Sequence, residues 1–198
     1  LPLSATVRKE LAEKADWFFA ELKNDMLLLC LFVLFSLSLG WIIFLVYLFP
    51  SYTWDALWYH LPIAGYIMQS GGIKEVPNYS FIDQFINIFP KNIELFFLWN
   101  IVFLRSDVVT DLSQFLFTLA GVFTIYSAAV KLKISSRYAL YSAFLFLFVP
   151  VIILQSSTNY VDIAVSVLFL ISINFLMPDN NESCKPGSTA GVITRQGR

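Results

Sequence analysis

The chain has 198 residues, of which 58% are hydrophobic and 14% charged, and its mean hydropathy is +0.69. Soluble domains carry about a quarter charged residues, so this composition favours a membrane protein of several spans over a soluble enzyme. The formal net charge of −1 argues against nucleic acid as a partner. Cys30 lies in an apolar run and Cys184 in a polar tail, so neither a disulfide between them nor a cysteine metal site is expected.

Residues 1–25 are polar to amphipathic and precede the first apolar run. Leu11, Ala15, Phe18 and Leu22 recur at helical spacing, with basic residues around them. This pattern predicts a helix, and it fits both an interfacial helix on the cytoplasmic membrane surface and a solvated leader helix.

Four apolar segments are candidates for membrane spans, because about 20 apolar residues cross a hydrocarbon core of about 30 Å. They cover residues 26–49, 112–130, 138–154 and 160–177. Basic residues before the first segment and in the loop at 131–137 indicate the cytoplasmic side. The predicted fold class is therefore all-α, a polytopic transmembrane helical bundle with a cytoplasmic N-terminus.

Residues 50–111 then form a long loop on the outer side, in which we expect juxtamembrane helices. Loops of this length without structure of their own are uncommon and are usually functional. Residues 91–105 are apolar but short, and the topology requires that they do not cross the membrane. The turn-rich segment 178–198 is predicted to be a disordered cytoplasmic tail.

The stretch from Ser51 to Pro62 carries the clearest sign of chemistry. It holds Asp55 and His60, the single histidine of the chain. Three aromatic side chains lie around them: Trp54, Trp58 and Tyr59. If Asp55 lies in the first turn of a helix, its charge complements the helix dipole, which is worth about 0.3–1 kcal/mol. If it is instead buried among the aromatic rings, burial raises the pKa of its carboxyl towards the range of a general base. His60 lies about 140° around an α-helix from Asp55, which favours a structural role for the imidazole.

Asp162 opens the last apolar segment and lies on the outer side together with Asp55 in this topology. Acidic residues in membrane segments are costly and indicate function by default, although capping of the helix also accounts for this one. Two carboxylates at one lipid-lined cavity have the chemistry to hold a divalent cation, or to divide the roles of base and substrate ligand. Three further charged residues are predicted on the same side: Lys91, Glu94 and Arg105.

Three segments resemble the GT-C class of polytopic membrane glycosyltransferases, and are most similar to bacterial relatives of protein mannosyltransferases and aminoarabinose transferases. They are residues 54–62 (WDALWYHLP), 89–95 (FPKNIEL) and 159–163 (NYVDI). The resemblance covers about residues 26–177 with short motifs. It implies a polyprenyl-phosphate-linked sugar as donor and an extracytoplasmic acceptor, in the bacterial inner membrane.

The resemblance also implies roles for particular residues. The acid of the first loop, here Asp55, is the catalytic base, and Asp162 matches an acid that lines the same cavity. We expect the substrate to contact the remaining candidates: Tyr59, His60, Lys91, Glu94 and Arg105. Lys91 and Arg105 would stabilise the departing phosphate, since charge develops there in the transition state.

Two departures from the family pattern limit these expectations. Ala56 follows Asp55 where the mannosyltransferases have a Glu, so their acceptor specificity does not carry over. Members of the class usually have more spans than four, so the chain is expected to be the N-terminal portion of such an enzyme or a truncated relative. A non-enzymatic membrane transport or assembly subunit is the alternative, with both acids as helix caps or ion-path residues.

Overall fold

The computed structural model describes residues 5–77, 84–107 and 110–178. This part of the chain is helical and contains no strand, which confirms the all-α class. The helices are α1 (Ala5–Asn24), α2 (Met26–Leu48), a π-helical turn (Ala56–His60), α3 (Leu61–Ser70), α4 (Gln84–Ile88), α5 (Asn92–Leu104), α6 (Leu112–Lys131), α7 (Ser136–Leu147), α8 (Pro150–Gln155) and α9 (Asp162–Leu176). The predicted disordered tail lies outside the described residues from 179 onward, and so does Cys184.

Asp25 separates the leader helix α1 from the apolar helix α2. Its Oδ1 accepts hydrogen bonds from the backbone N–H groups of Leu27 and Leu28, both at 3.1 Å, which caps the start of α2. Tyr141 of α7 donates its hydroxyl to the same oxygen at 2.9 Å. Leu22 of α1 is buried in the core, while most of the helix is exposed. The leader therefore packs against α2 through its last turns.

Two described helices are long and apolar enough to cross a membrane. Helix α2 has 23 residues with a mean hydropathy of 2.7, and α6 has 20 residues with a mean hydropathy of 1.4. Large apolar side chains of α2 are exposed along most of its length, among them Leu34, Leu37, Trp41, Phe44 and Tyr47. A face of this kind is a membrane or protein contact surface rather than a surface suited to water.

The predicted span at 138–154 is interrupted. Helix α7 ends at Leu147, and Val149 adopts an extended conformation with ψ of 122°. The cause is Pro150, which disfavours helical geometry in the residue before it and lacks the N–H that would continue the helix. Pro150 instead occupies the first turn of α8, where its missing N–H has no cost.

The predicted span at 160–177 is a helix of 15 residues, Asp162–Leu176. At about 1.5 Å per residue, its length is roughly 22 Å, which is shorter than a hydrocarbon core of about 30 Å. The helix starts late because the residues before it belong to a turn, where the Thr158 hydroxyl accepts from the Tyr160 N–H at 3.4 Å. Asn159 is held there by side-chain bonds to other segments.

Helix α6 packs between α7 and α9, and polar contacts fix both of its ends. Gln114 Oε1 accepts from the Ala164 N–H at 3.1 Å near the start of both α6 and α9. Lys131 Nζ donates to the carbonyl of Asn174 at 2.8 Å near the other ends. Since residues late in α6 contact residues late in α9, and early residues contact early ones, the two helices run side by side in the same direction.

Helix α7 returns beside α6 in the opposite sense. Phe146, late in α7, lies next to Gly121 in the middle of α6. Helices α3 and α5 pack together in a smaller cluster, with Ile63, Ile67 and Ile86 buried there. This smaller cluster carries the site described below.

Gly121 is where α6 comes closest to its neighbours. A Cβ at this position would lie 2.5 Å from Phe146 Cε1 and 3.0 Å from Val167 Cγ2. We expect Gly121→Ala to lower the thermal unfolding midpoint of the detergent-solubilised protein, because overpacking costs about 1–3 kcal/mol. Gly40→Ala in α2 is the matched control, since nothing lies within 4 Å of that Cβ, and its helix propensity gain is expected to raise the midpoint. Equal shifts in both variants would contradict this packing.

Candidate functional site

The aromatic stretch after α2 folds into a π-helical turn at Ala56–His60. Leu61 donates its N–H to the Ala56 carbonyl five residues earlier, which is the hydrogen bond that defines this geometry. The angle of about 140° between Asp55 and His60 assumed an α-helix, and a π turn brings residues five apart closer to one face. Such turns occur frequently at functional sites.

A buried hydrogen bond joins the π turn to the start of α5. His60 Nδ1 and Glu94 Oε1 lie 2.8 Å apart, and both residues are only 2% exposed. The rings of Tyr59 and Phe97 pack against the imidazole, with centroids at 4.0 Å and 6.1 Å. Glu94 Oε2 is buried without a hydrogen-bond partner among the described residues. One carboxylate oxygen is therefore left to accept from a bound molecule.

A cavity of about 290 Å³ lies beside this pair. Its polar lining comes from Tyr59, His60, Asn92 and Glu94. The remaining lining is apolar and is formed by Phe89, Pro90, Ile93, Val161, Val165 and Leu168. Concave sites with a largely apolar wall and a few converging polar groups are typical ligand sites.

Tyr59 lines this cavity and is influenced by the two predicted acids. Burial is the main cause that raises the pKa of the Tyr59 phenol to about 12, and the negative charges of Asp55, Asp162 and Glu94 contribute to the same rise. These carboxylates therefore lie close enough to act on the same side chain. Asp55 is partly buried, whereas Asp162 is exposed and accepts from Gln155 Nε2 at 3.0 Å. Of the predicted residues, Tyr59, His60 and Glu94 line the cavity, whereas Asp55 and Asp162 are not part of its lining.

The two predicted cationic residues lie elsewhere. Lys91 Nζ donates to the carbonyls of Ile86 at 2.8 Å and Phe89 at 3.3 Å, at the end of α4. Arg105 is exposed and follows the last turn of α5, in the left-handed region with φ of 51°. Neither side chain lines the cavity beside Glu94. Within the described ranges, no group of three or more His, Cys, Asp and Glu side chains is placed to hold a metal ion.

A second buried polar cluster had no signal in the sequence. Ser51 donates its hydroxyl to Asp111 Oδ1 at 3.0 Å and accepts from Asn159 Nδ2 at 2.7 Å. Asn159 Nδ2 also donates to Thr110 Oγ1 at 3.2 Å. Burial raises the pKa of Asp111 to about 6, while the hydrogen bond from Ser51 opposes this rise. The cluster ties the segment after α2 to the starts of α6 and α9.

No protein-family model, curated protein or solved structure matches the chain. The resemblance to glycosyltransferases therefore rests on its short motifs, and function has to be argued from the site itself.

The contribution of the His60–Glu94 hydrogen bond to the stability of the fold can be measured with single and double variants. Glu94→Leu leaves a buried imidazole N–H without an acceptor, which we expect to cost about 1–3 kcal/mol. Adding His60→Phe removes both partners and is expected to recover most of that loss, since two apolar groups of similar shape can replace a polar pair. Thermal unfolding of the two single variants and the double variant measures this coupling. Additive losses in the double variant would contradict a direct bond.

The raised pKa of Asp111 predicts how the free energy of unfolding changes with pH. Its pKa lies at about 6 in the folded protein against an ordinary value of 3.8, so the folded state keeps a proton that the unfolded chain releases between these values. The Asp111 contribution to the free energy of unfolding therefore decreases as pH rises from about 4 to about 6, and then levels off. Unfolding midpoints of wild type and Asp111→Asn over this range isolate the effect. Parallel profiles of the two proteins would rule it out.

Proposed function

We propose that the protein acts in membrane glycosyl transfer, moving a sugar from a polyprenyl-phosphate-linked donor to an acceptor on the extracytoplasmic side. The observation that carries this proposal is the cavity beside His60 and Glu94. It combines a buried carboxylate oxygen that lacks a donor with an apolar wall from α9. Sugar hydroxyls are hydrogen-bond donors, and the lipid part of such a donor needs an apolar surface.

Asp55 supplies the base in this proposal. Its carboxylate takes the proton from an acceptor hydroxyl or amine, and the acceptor atom attacks the anomeric carbon. The bond from that carbon to the phosphate oxygen breaks, and polyprenyl phosphate leaves with the electron pair. Asp162 and Glu94 accept hydrogen bonds from the sugar, and His60 is held by Glu94 at the cavity wall. General base catalysis of this kind contributes about 10²–10⁴-fold to rate.

The proposal places the protein in a membrane as a multi-pass bundle, with α2, α6, the broken α7–α8 pair and α9 as its spans. Helices α2 and α6 have the length and hydropathy for this. The hydrogen bonds of Ser51, Asp111 and Asn159 join the segment after α2 to the starts of α6 and α9, and in this proposal these helix ends lie on the outer side of the membrane. Asn100 of α5 donates to Ser113 at 2.8 Å, near the start of α6, which agrees with α5 lying at that side.

A non-enzymatic membrane transport or assembly subunit is the second candidate. The observation in its favour is the extent of exposed apolar surface, which partner helices would cover. On α6 and α9 this surface includes Leu116, Phe123, Phe169, Phe175 and Leu176. In this case Asp55 and Asp162 would have structural roles, and no glycosyl transfer would be found.

The base is tested with Asp55→Asn in membranes that contain the full-length gene product. Transfer of labelled sugar from polyprenyl phosphate is expected to fall about 10²–10⁴-fold, while the amount of folded protein is unchanged. Asp107→Asn is the matched control, because Asp107 is an exposed acid in the segment before α6. Wild-type transfer by the Asp55 variant would remove Asp55 as the base, and absence of transfer in the wild type would favour the second candidate.

A further inference from the structure

A groove runs along α2 and shares no lining residue with the His60 cavity. Its outer part is a cavity of about 360 Å³ with Asp111 in its lining, and its inner part is a cavity of about 610 Å³ that reaches Leu34. Both parts share Leu45, Tyr52 and Ser157, so they are continuous. From residue 34 to residue 45 the groove follows α2 for about 16 Å. This length suits a lipid chain.

The break before Pro150 forms the opposite wall of the inner part. Because α8 does not continue α7, its residues Ile153 and Leu154 face α2 across the groove. Apart from Ser38, Tyr52 and Ser157, the inner part is lined by apolar side chains. Such a wall recognises hydrocarbon and gives no directional contacts, so the polar end of the groove decides which lipid is bound.

Asp111 is the charged residue in the lining of the groove, and the side chains that surround it use their donors within the polar cluster. Both hydrogens of Asn159 Nδ2 are used, on Ser51 and Thr110, and the Ser51 hydroxyl is donated to Asp111. The Thr110 hydroxyl is donated to the Asp107 carbonyl. Asn159 Oδ1 is buried without a partner in the described part of the chain, and no Lys or Arg there pairs with Asp111. A buried carboxyl that lacks a cationic partner is also the setting in which burial raises a pKa, as it does for Asp111.

We propose that this groove binds a lipid whose head group carries a primary ammonium, with the hydrocarbon chain along α2 and the ammonium at Asp111. An ammonium has three N–H donors and a charge opposite to that of the Asp111 carboxylate, which lines the outer end of the groove. A fatty acid or a phosphate head would place a negative charge against Asp111. The inference is independent of the glycosyl transfer proposed above, because it concerns other residues and another cavity.

The test uses three photoreactive probes with the same alkyl chain, ending in a primary amine, an alcohol or a carboxylate. They are added to membranes containing the full-length protein at neutral pH, and labelled peptides are mapped by mass spectrometry. In the wild type, the amine is expected to label the peptides around Leu45 and Leu154 about tenfold more than the carboxylate probe does. Equal labelling by all three probes would overturn the proposal.

Two variants and a control locate the contact. Asp111→Asn is expected to reduce amine labelling about tenfold, to the level of the alcohol, while Glu75→Gln, which changes an exposed acid after α3, leaves it unchanged. Leu37→Trp fills the inner part of the groove, which Asp111 does not line, so it is expected to reduce labelling by both the amine and the alcohol. It decides the matter if Asp111→Asn does not fold. Amine labelling that survives Leu37→Trp, or that falls equally in the Glu75 variant, would show that the groove does not bind this lipid.

Discussion

Buried polar side chains in this chain have to find their partners within the protein, because the helices that surround them are largely apolar. An unpaired buried group costs about 1–3 kcal/mol, and more when it is charged. Two clusters meet this constraint across long sequence separations. The His60–Glu94 bond joins the π turn to α5, and the bonds among Ser51, Asp111 and Asn159 join the ends of α2, α6 and α9.

The two clusters leave different atoms unsatisfied, and this difference separates their proposed roles. At Glu94 the free oxygen lies beside a compact cavity, with two further carboxylates near enough to influence Tyr59. At the second cluster, the Asp111 carboxylate lies at the end of an extended apolar groove without a cationic partner among the described residues. The first arrangement suits a polar group that undergoes chemistry, and the second suits a lipid head that is only bound.

Sequence reasoning identified the features that depend on local composition. The long apolar helices α2 and α6 follow from length and hydropathy. Asp55 and Asp162 are identifiable as acids beside apolar segments, Tyr59 by its place next to them, and Glu94 by the predicted topology. It could not find the pairing of His60 with Glu94, because their separation of 34 residues is bridged only by tertiary packing. The break between α7 and α8 is predictable from the sequence, because Pro150 disfavours helical geometry in the residue before it.

Other features had no local signal. The π turn changes the angle between Asp55 and His60, and nothing in the residues 54–62 distinguishes it from an α-helical turn. Lys91 was expected at the substrate because of its charge, yet the free carbonyls at the end of α4 bind its ammonium group. Asp111 was read as the last residue of a loop, and only the fold shows that it is 3% exposed.

The most direct test of this account is where a photoreactive polyprenyl-phosphate analogue attaches to the protein. If the donor binds in the His60 cavity, crosslinks are expected to residues around it, such as Phe89 and Val165. Glu94→Gln and Asp162→Asn are then expected to weaken the crosslinking when a sugar is present on the analogue. Crosslinks confined to the α2 groove, at Leu45 or Leu154, would contradict the assignment of the His60 cavity as the donor site.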